Sequence, residues 1–125
     1  MKTKRKIIQI ALESDNMLKP LEKSEKKEAW VKSQVKEFLK ANNIWFFMPQ
    51  NIGMGQSGIP DFICCLHEFN GKMLGIETKR PGKRSSTTAL QDRQITAIRA
   101  ARGWAIVVDD VSQLKEFLDA CRSEA

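Results

Sequence analysis

The chain reads as a single α/β domain with a mixed central sheet, its elements running in the order α-β-β-β-α-β-α. Three observations predict this. Three stretches repeat apolar residues at helical spacing, four short apolar runs lie between them, and a hairpin signal joins two of those runs. The length of 125 residues fits one domain that can bury a core without staples, and the hydrophobic share of 42% is globular. No internal repeat or linker divides the chain. Residues 1–20 read as a basic N-terminal extension and residues 21–125 as the domain.

The first helix is predicted over residues 24–41. Val31, Val35, Phe38 and Leu39 fall at i, i+4, i+7 and i+8, and Ser24 is the candidate N-cap. Lys27, not an acid, follows three residues later, so no capping box forms there. Asn42-Asn43 ends this helix, and Ile44–Met48 reads as a short buried strand. A loop from Pro49 to Pro60 carries glycines at 53, 55 and 58, without the Gly-Lys-Ser/Thr of a P-loop. Asp61–His67 and Lys72–Lys79 are strands joined at Asn70-Gly71, a strong hairpin dipeptide. After a basic loop, Leu90–Arg102 is helical with Gly103 as its C-cap. Trp104–Val108 is a strand, and Val111–Cys121 is the last helix.

The net charge is +6, and it is unevenly spread. Residues 1–40 hold 11 Lys or Arg against 6 Asp or Glu, and Lys79-Arg80-Pro81-Gly82-Lys83-Arg84 adds four positive charges and no negative one. Patches of this kind suit a polyanion such as nucleic acid. No apolar run approaches the ~20 residues of a membrane span. The basic start, with Glu13 and Asp15 soon after, does not read as a signal peptide. The expectation is a cytoplasmic protein with no membrane partner. Three cysteines, two of them adjacent at Cys64 and Cys65, make a poor disulfide framework and read as buried free thiols. A zinc site from Cys65, His67 and Cys121 lacks the paired ligand spacing.

The informative constellation lies on the strand pair. Glu77 and Lys79 share a face because a strand has period two, and an antiparallel hairpin brings Asp61 beside them. Two carboxylates and a lysine at a strand end are costly unless something uses them. A divalent cation resolves the cost, since carboxylate oxygens are hard ligands suited to Mg²⁺. The bland alternative is a strand-start Asp beside a surface salt bridge.

Pro60-Asp61, fifteen residues, then Glu77-Thr78-Lys79 resembles the PD-(D/E)xK nuclease superfamily. More narrowly, the ordered set Gly58-Ile59-Pro60-Asp61, Gly75-Ile76-Glu77-Thr78-Lys79, Pro81-Gly82 and Gln91 is similar to the VRR-NUC family, over roughly residues 24–110. The resemblance implies a restriction-endonuclease-like core, Mg²⁺ or Mn²⁺ as cofactor and DNA as substrate. It implies catalytic roles for Asp61, Glu77 and Lys79, for a glutamine on the second helix, and for a glutamate on the first. Helical geometry at ~100° per residue selects Glu28, which lies near Val35 on the apolar stripe, over Glu25 and Glu37. The ordinary alternative for Glu28 is a surface pair with Lys32. The same geometry turns Gln91 towards the core side, with Gln94 as its competitor.

The expected metal ligands are therefore Asp61, Glu77 and Glu28. Arg80, Lys83, Arg84 and Ser85 are placed to hold DNA phosphates. His67, far along the strand from Asp61, is given no catalytic role. The resemblance further implies a structure-specific endonuclease acting on branched or four-way-junction DNA. A homodimer is expected because resolving a junction takes two symmetric cuts, and because the apolar Ile7, Ile8, Ile10, Ala11 and Leu12 precede the domain with no obvious place in its core; the alternative is that this segment covers its own sheet edge. A sequence-specific restriction-type endonuclease and a non-catalytic nucleic-acid-binding module with the same fold are the competing readings.

Overall fold

The computed structural model describes residues 27–50 and 57–124. The elements are α1 (Glu28–Ala41), β1 (Trp45–Phe47), β2 (Phe62–Leu66), β3 (Lys72–Thr78), α2 (Ala89–Ala100), β4 (Trp104–Val108) and α3 (Val111–Glu124). The α/β class and the element order are those expected from the sequence. The sheet order is β1-β2-β3-β4, with β1/β2 and β2/β3 antiparallel and β3/β4 parallel.

The register decides which residues meet the core. Phe62, Cys64 and Leu66 of β2 and Leu74 and Ile76 of β3 share one face with Val108 of β4. They pack with Val31, Val35 and Leu39 of α1 and Leu114 and Leu118 of α3 in one buried cluster. Phe46 joins from β1, edge-on to Phe62 at 5.8 Å, and Phe69, Trp104 and Phe117 extend it through two more edge contacts. The opposite face is covered by α2, whose Ile98 lies against Gly75 at the centre of β3. A side chain at 75 would meet Pro60 at 3.0 Å and Ile98 at 3.3 Å, so the glycine lets the helix and the loop before β2 close over β3.

Several boundaries differ from the sequence reading. The described part of α1 begins at Glu28, with Lys27 as an N-cap that makes no side-chain bond, and Ser24 lies outside the described residues. Its C-terminus is a Schellman motif: Ile44 N donates to Leu39 O, Asn43 N donates to Lys40 O, and Asn43 takes φ 54°. The same motif ends α2 earlier than expected. Arg102, not Gly103, takes the left-handed conformation at φ 75°, and Gly103 N donates to Ile98 O. Gly103 serves proximity instead, since a Cβ there would lie 2.9 Å from Ile98 Cγ2.

The hairpin loop is five residues, one more than the four left between the expected strands, because β2 ends at Leu66. A 3-10 turn over His67–Phe69 precedes Asn70 and Gly71, both at positive φ, and Gly71 N closes on Leu66 O at 2.9 Å. Arg122 of α3 grips Glu68 in this loop with two bonds of 2.7 and 2.9 Å.

Two burial expectations are corrected. β1 is an edge strand with Trp45 63% and Phe47 54% exposed, because α2 covers only the β3–β4 half of that face. Of the cysteines, only Cys64 is buried, its thiol pushed up to about 12 by that burial. Cys65 is exposed and Cys121 half-buried, as strand alternation and the end of α3 dictate. Among the described residues, no helix is long and apolar enough to cross a membrane.

Candidate active site

The ladder Phe62–Ile76 sets Asp61 level with the last residues of β3. Asp61 sits just before β2 and Lys79 just after β3, so the constellation closes the strand pair. Asp61 Oδ2 accepts two bonds from Thr78, from its backbone N at 2.9 Å and its hydroxyl at 2.6 Å. One carboxylate oxygen is thus fixed to the strand, and Oδ1 lies 3.5 Å from Lys32 Nζ.

Glu77 faces the other way, beneath the first turn of α2. It is 3% exposed. Gln91 Nε2 donates to Glu77 Oε2 at 2.8 Å, and Gln91 Oε1 accepts from Lys79 Nζ at 2.9 Å. Lys79 Nζ is itself 3.8 Å from Glu77 Oε2. The amide therefore bridges the carboxylate and the ammonium, with its oxygen and nitrogen assigned by what each partner can offer. Burial first, then the neighbouring Asp61 carboxylate, push the Glu77 carboxyl from its usual 4.5 up to about 7. Lys79 pulls it down, Glu28 pushes it up, and Lys32 pulls it down.

Gln91 has a second duty. Its backbone N donates to Thr88 Oγ1 at 3.1 Å, while Thr88 N donates to Gln91 Oε1 at 2.9 Å. This capping box starts α2. Gly58 locks the same turn from outside. It takes φ +83°, and a Cβ there would stand 2.5 Å from the Leu90 carbonyl carbon and oxygen. The loop leading to Asp61 thus lies directly on the backbone that carries Gln91.

The first turn of α1 closes the other side. Glu28 is half-buried and within electrostatic reach of Glu77. Lys32, expected at most as its surface partner, pairs with Asp61 instead. Glu37 is exposed, and Glu25 lies outside the described residues. Gln94 is half-buried one turn further along α2 from the Glu77–Lys79 bridge that Gln91 makes.

Among the described residues, no group of three or more His, Cys, Asp or Glu is gathered to hold a metal ion. That covers the zinc alternative at Cys65, His67 and Cys121, and it also means that the expected set of Asp61, Glu77 and Glu28 is not gathered as three ligands; Asp61 and Glu77 remain as a carboxylate pair, with Glu28 further off on α1. A pair is what Mg²⁺ ordinarily takes from a protein, the remaining ligands being water and substrate phosphate. The donor set of two hard carboxylates, one of them Glu77 buried beside Asp61, is of the chemistry a divalent cation takes.

Arg80, Lys83, Arg84 and Ser85 are all exposed after β3. Their loop is anchored to the sheet: Gly82 N donates to Asp109 Oδ2 at 2.9 Å and Arg84 Nε to Val107 O at 2.8 Å. The sequence reading missed Lys32, Thr78 and Thr88. Thr88 had a visible signal, the Thr-x-x-Gln pattern before a helix.

No protein-family model matches the sequence, and no curated protein matches it. A solved structure described as a VRR_NUC domain does superpose, with a TM-score of 0.62 and 22% identity over 75% of this chain and 96% of that one. The chain has the fold of that VRR_NUC domain, with a mixed four-stranded sheet and three helices among the described residues.

Proposed function

We propose that the protein is a VRR-NUC-type nuclease of the PD-(D/E)xK superfamily, a metal-dependent endonuclease hydrolysing DNA phosphodiester bonds. The observation that carries this reading is the Glu77–Gln91–Lys79 bridge, set beside Asp61 on a nuclease fold. Asp61 and Glu77 would hold Mg²⁺ or Mn²⁺, with Glu28 reaching the ion through water. Such an ion supplies Lewis-acid stabilisation of the phosphoryl group and activation of a water. Lys79, held by Gln91, places a fixed positive charge where the pentavalent phosphate gains negative charge. Gln91 keeps Glu77 and Lys79 apart by a neutral bridge and so orients both. In the overall step, water attacks phosphorus, the bond to the leaving sugar oxygen breaks, and that oxygen takes up a proton.

Arg80, Lys83, Arg84 and Ser85 hold the flanking phosphates, with nothing among them suited to reading base edges. The substrate reading is branched DNA, four-way junctions above all, cut by a homodimer whose two sites match the junction's symmetry. The exposed Trp45 and Phe47 support a second copy packing on this chain.

The test is cleavage in Mg²⁺ or Mn²⁺, in Ca²⁺ and in EDTA, with Lys79→Ala alongside. We expect cutting with the first two ions only. Lys79→Ala should lose at least about 10²-fold in rate, the scale of a lost transition-state charge contact, with little loss of DNA affinity. Full activity in EDTA, or near wild-type cutting by Lys79→Ala, would overturn the reading.

A further inference from the structure

We propose that Lys32 is an exchangeable cation of this site, neutralising Asp61 in the metal-free protein and turning to a DNA phosphate once a divalent ion is bound. The proposal rests on the metal-dependent reading above. Its starting point is the asymmetry of Asp61. Oδ2 is saturated by two short bonds from Thr78, so Oδ1 is the oxygen left to face a cation. Lys32 Nζ occupies that position at 3.5 Å.

The two lysines of the site are held very differently. Lys79 is 12% exposed and hydrogen-bonded to Gln91 at 2.9 Å. Lys32 is 36% exposed, and its distance from Asp61 is long against the ~2.8 Å of a tight charge-assisted bond. A lysine on a flexible stem, a third in solvent and loosely paired, can leave at small cost. A divalent ion on Asp61 Oδ1 would compete for the same oxygen and repel the ammonium. Displaced, Lys32 would still stand on α1 beside Asp61, within reach of a phosphate brought to that carboxylate. Metal binding thereby frees one positive charge for the substrate, and by reciprocity DNA binding favours the metal-loaded state.

The experiment uses Ca²⁺ as the ion, so that binding is read without cutting. Ca²⁺ is titrated calorimetrically into wild type, Lys32→Gln, Lys32→Arg and Lys40→Gln without DNA. Duplex DNA affinity is then measured against salt at saturating Ca²⁺. In Lys32→Gln, Ca²⁺ should bind about two- to fivefold tighter, the range a partly exposed ion pair supports. DNA should bind more weakly, with a salt slope smaller by about one. Lys32→Arg should keep the wild-type slope. Lys40→Gln, which removes a charge at the far end of α1, should leave Ca²⁺ affinity unchanged. Unchanged or weaker Ca²⁺ binding by Lys32→Gln, or an unchanged salt slope, overturns the proposal while leaving the nuclease reading intact. Wild type that binds neither Ca²⁺ nor DNA overturns both.

Discussion

At Glu77, burial and the Asp61 carboxylate push the carboxyl up to about 7, and Lys79 and Lys32 offset them only in part. The sign of the consequence follows. A carboxyl whose folded value lies above its unfolded 4.5 favours folding below 4.5 and loses that contribution as pH rises through about 7. The metal-free protein should therefore lose stability between those values, on the order of 3 kcal/mol for this group. Glu77→Gln should flatten the loss, and Mg²⁺ should restore stability at the alkaline end. Chemical denaturation across that pH window, with EDTA and with Mg²⁺, measures it. Wild type and Glu77→Gln showing the same pH dependence would contradict the cause assigned here. Asp61, Glu77 and Lys79 could be placed from sequence because strand period and a hairpin are local rules. Lys32 could not, because its partner is on another element and only packing brings α1 to Asp61.

Elements hold these residues through their ends more than their middles. The Thr88–Gln91 box starts α2 and delivers Gln91 to Glu77, and Gly58 seats the preceding loop on that turn. Gly58→Ala combines a left-handed backbone with a backbone clash, so it should cost roughly 2–4 kcal/mol. It should also cut less well than its stability loss alone explains, because Leu90 and Gln91 must move. Thermal melting with cleavage at a temperature where the variant is folded separates the two effects, and a Gly58→Ala protein of wild-type stability would refute the packing argument. Helix and strand identities were legible from periodicity. Their ends were not, because Arg102 accepts a left-handed φ that the sequence reading gave to Gly103, while Gly103 is needed for contact with Ile98.

Across the whole molecule, the unexpected feature is the half-covered sheet face. Ile44–Met48 looked like a buried strand because it is apolar throughout, yet burial depends on which strands α2 covers. Trp45 and Phe47 are left outward on a three-residue edge strand. The segment Ile7–Leu12, whose apolar residues first motivated a dimer, lies outside the described residues. Light scattering at micromolar concentration should give a dimer that cuts four-way junctions faster than plain duplex. Replacing Trp45 and Phe47 together with Lys should give a monomer that loses paired cutting. A wild-type monomer that nicks duplex as fast as junctions would refute both parts.

The central position of β3 has a consequence for motion. That strand is laddered on both sides and buried from Leu74 to Thr78, so its amides open only when the domain does. Glu28 and Lys32 ride on the first two turns of α1, where Lys27 supplies no side-chain cap and Val31 is the one residue of the first turn buried in the core. The two halves of the site therefore keep different clocks. Amide exchange should be slowest on the strand that carries Glu77 and faster in the uncapped first turn that carries Glu28.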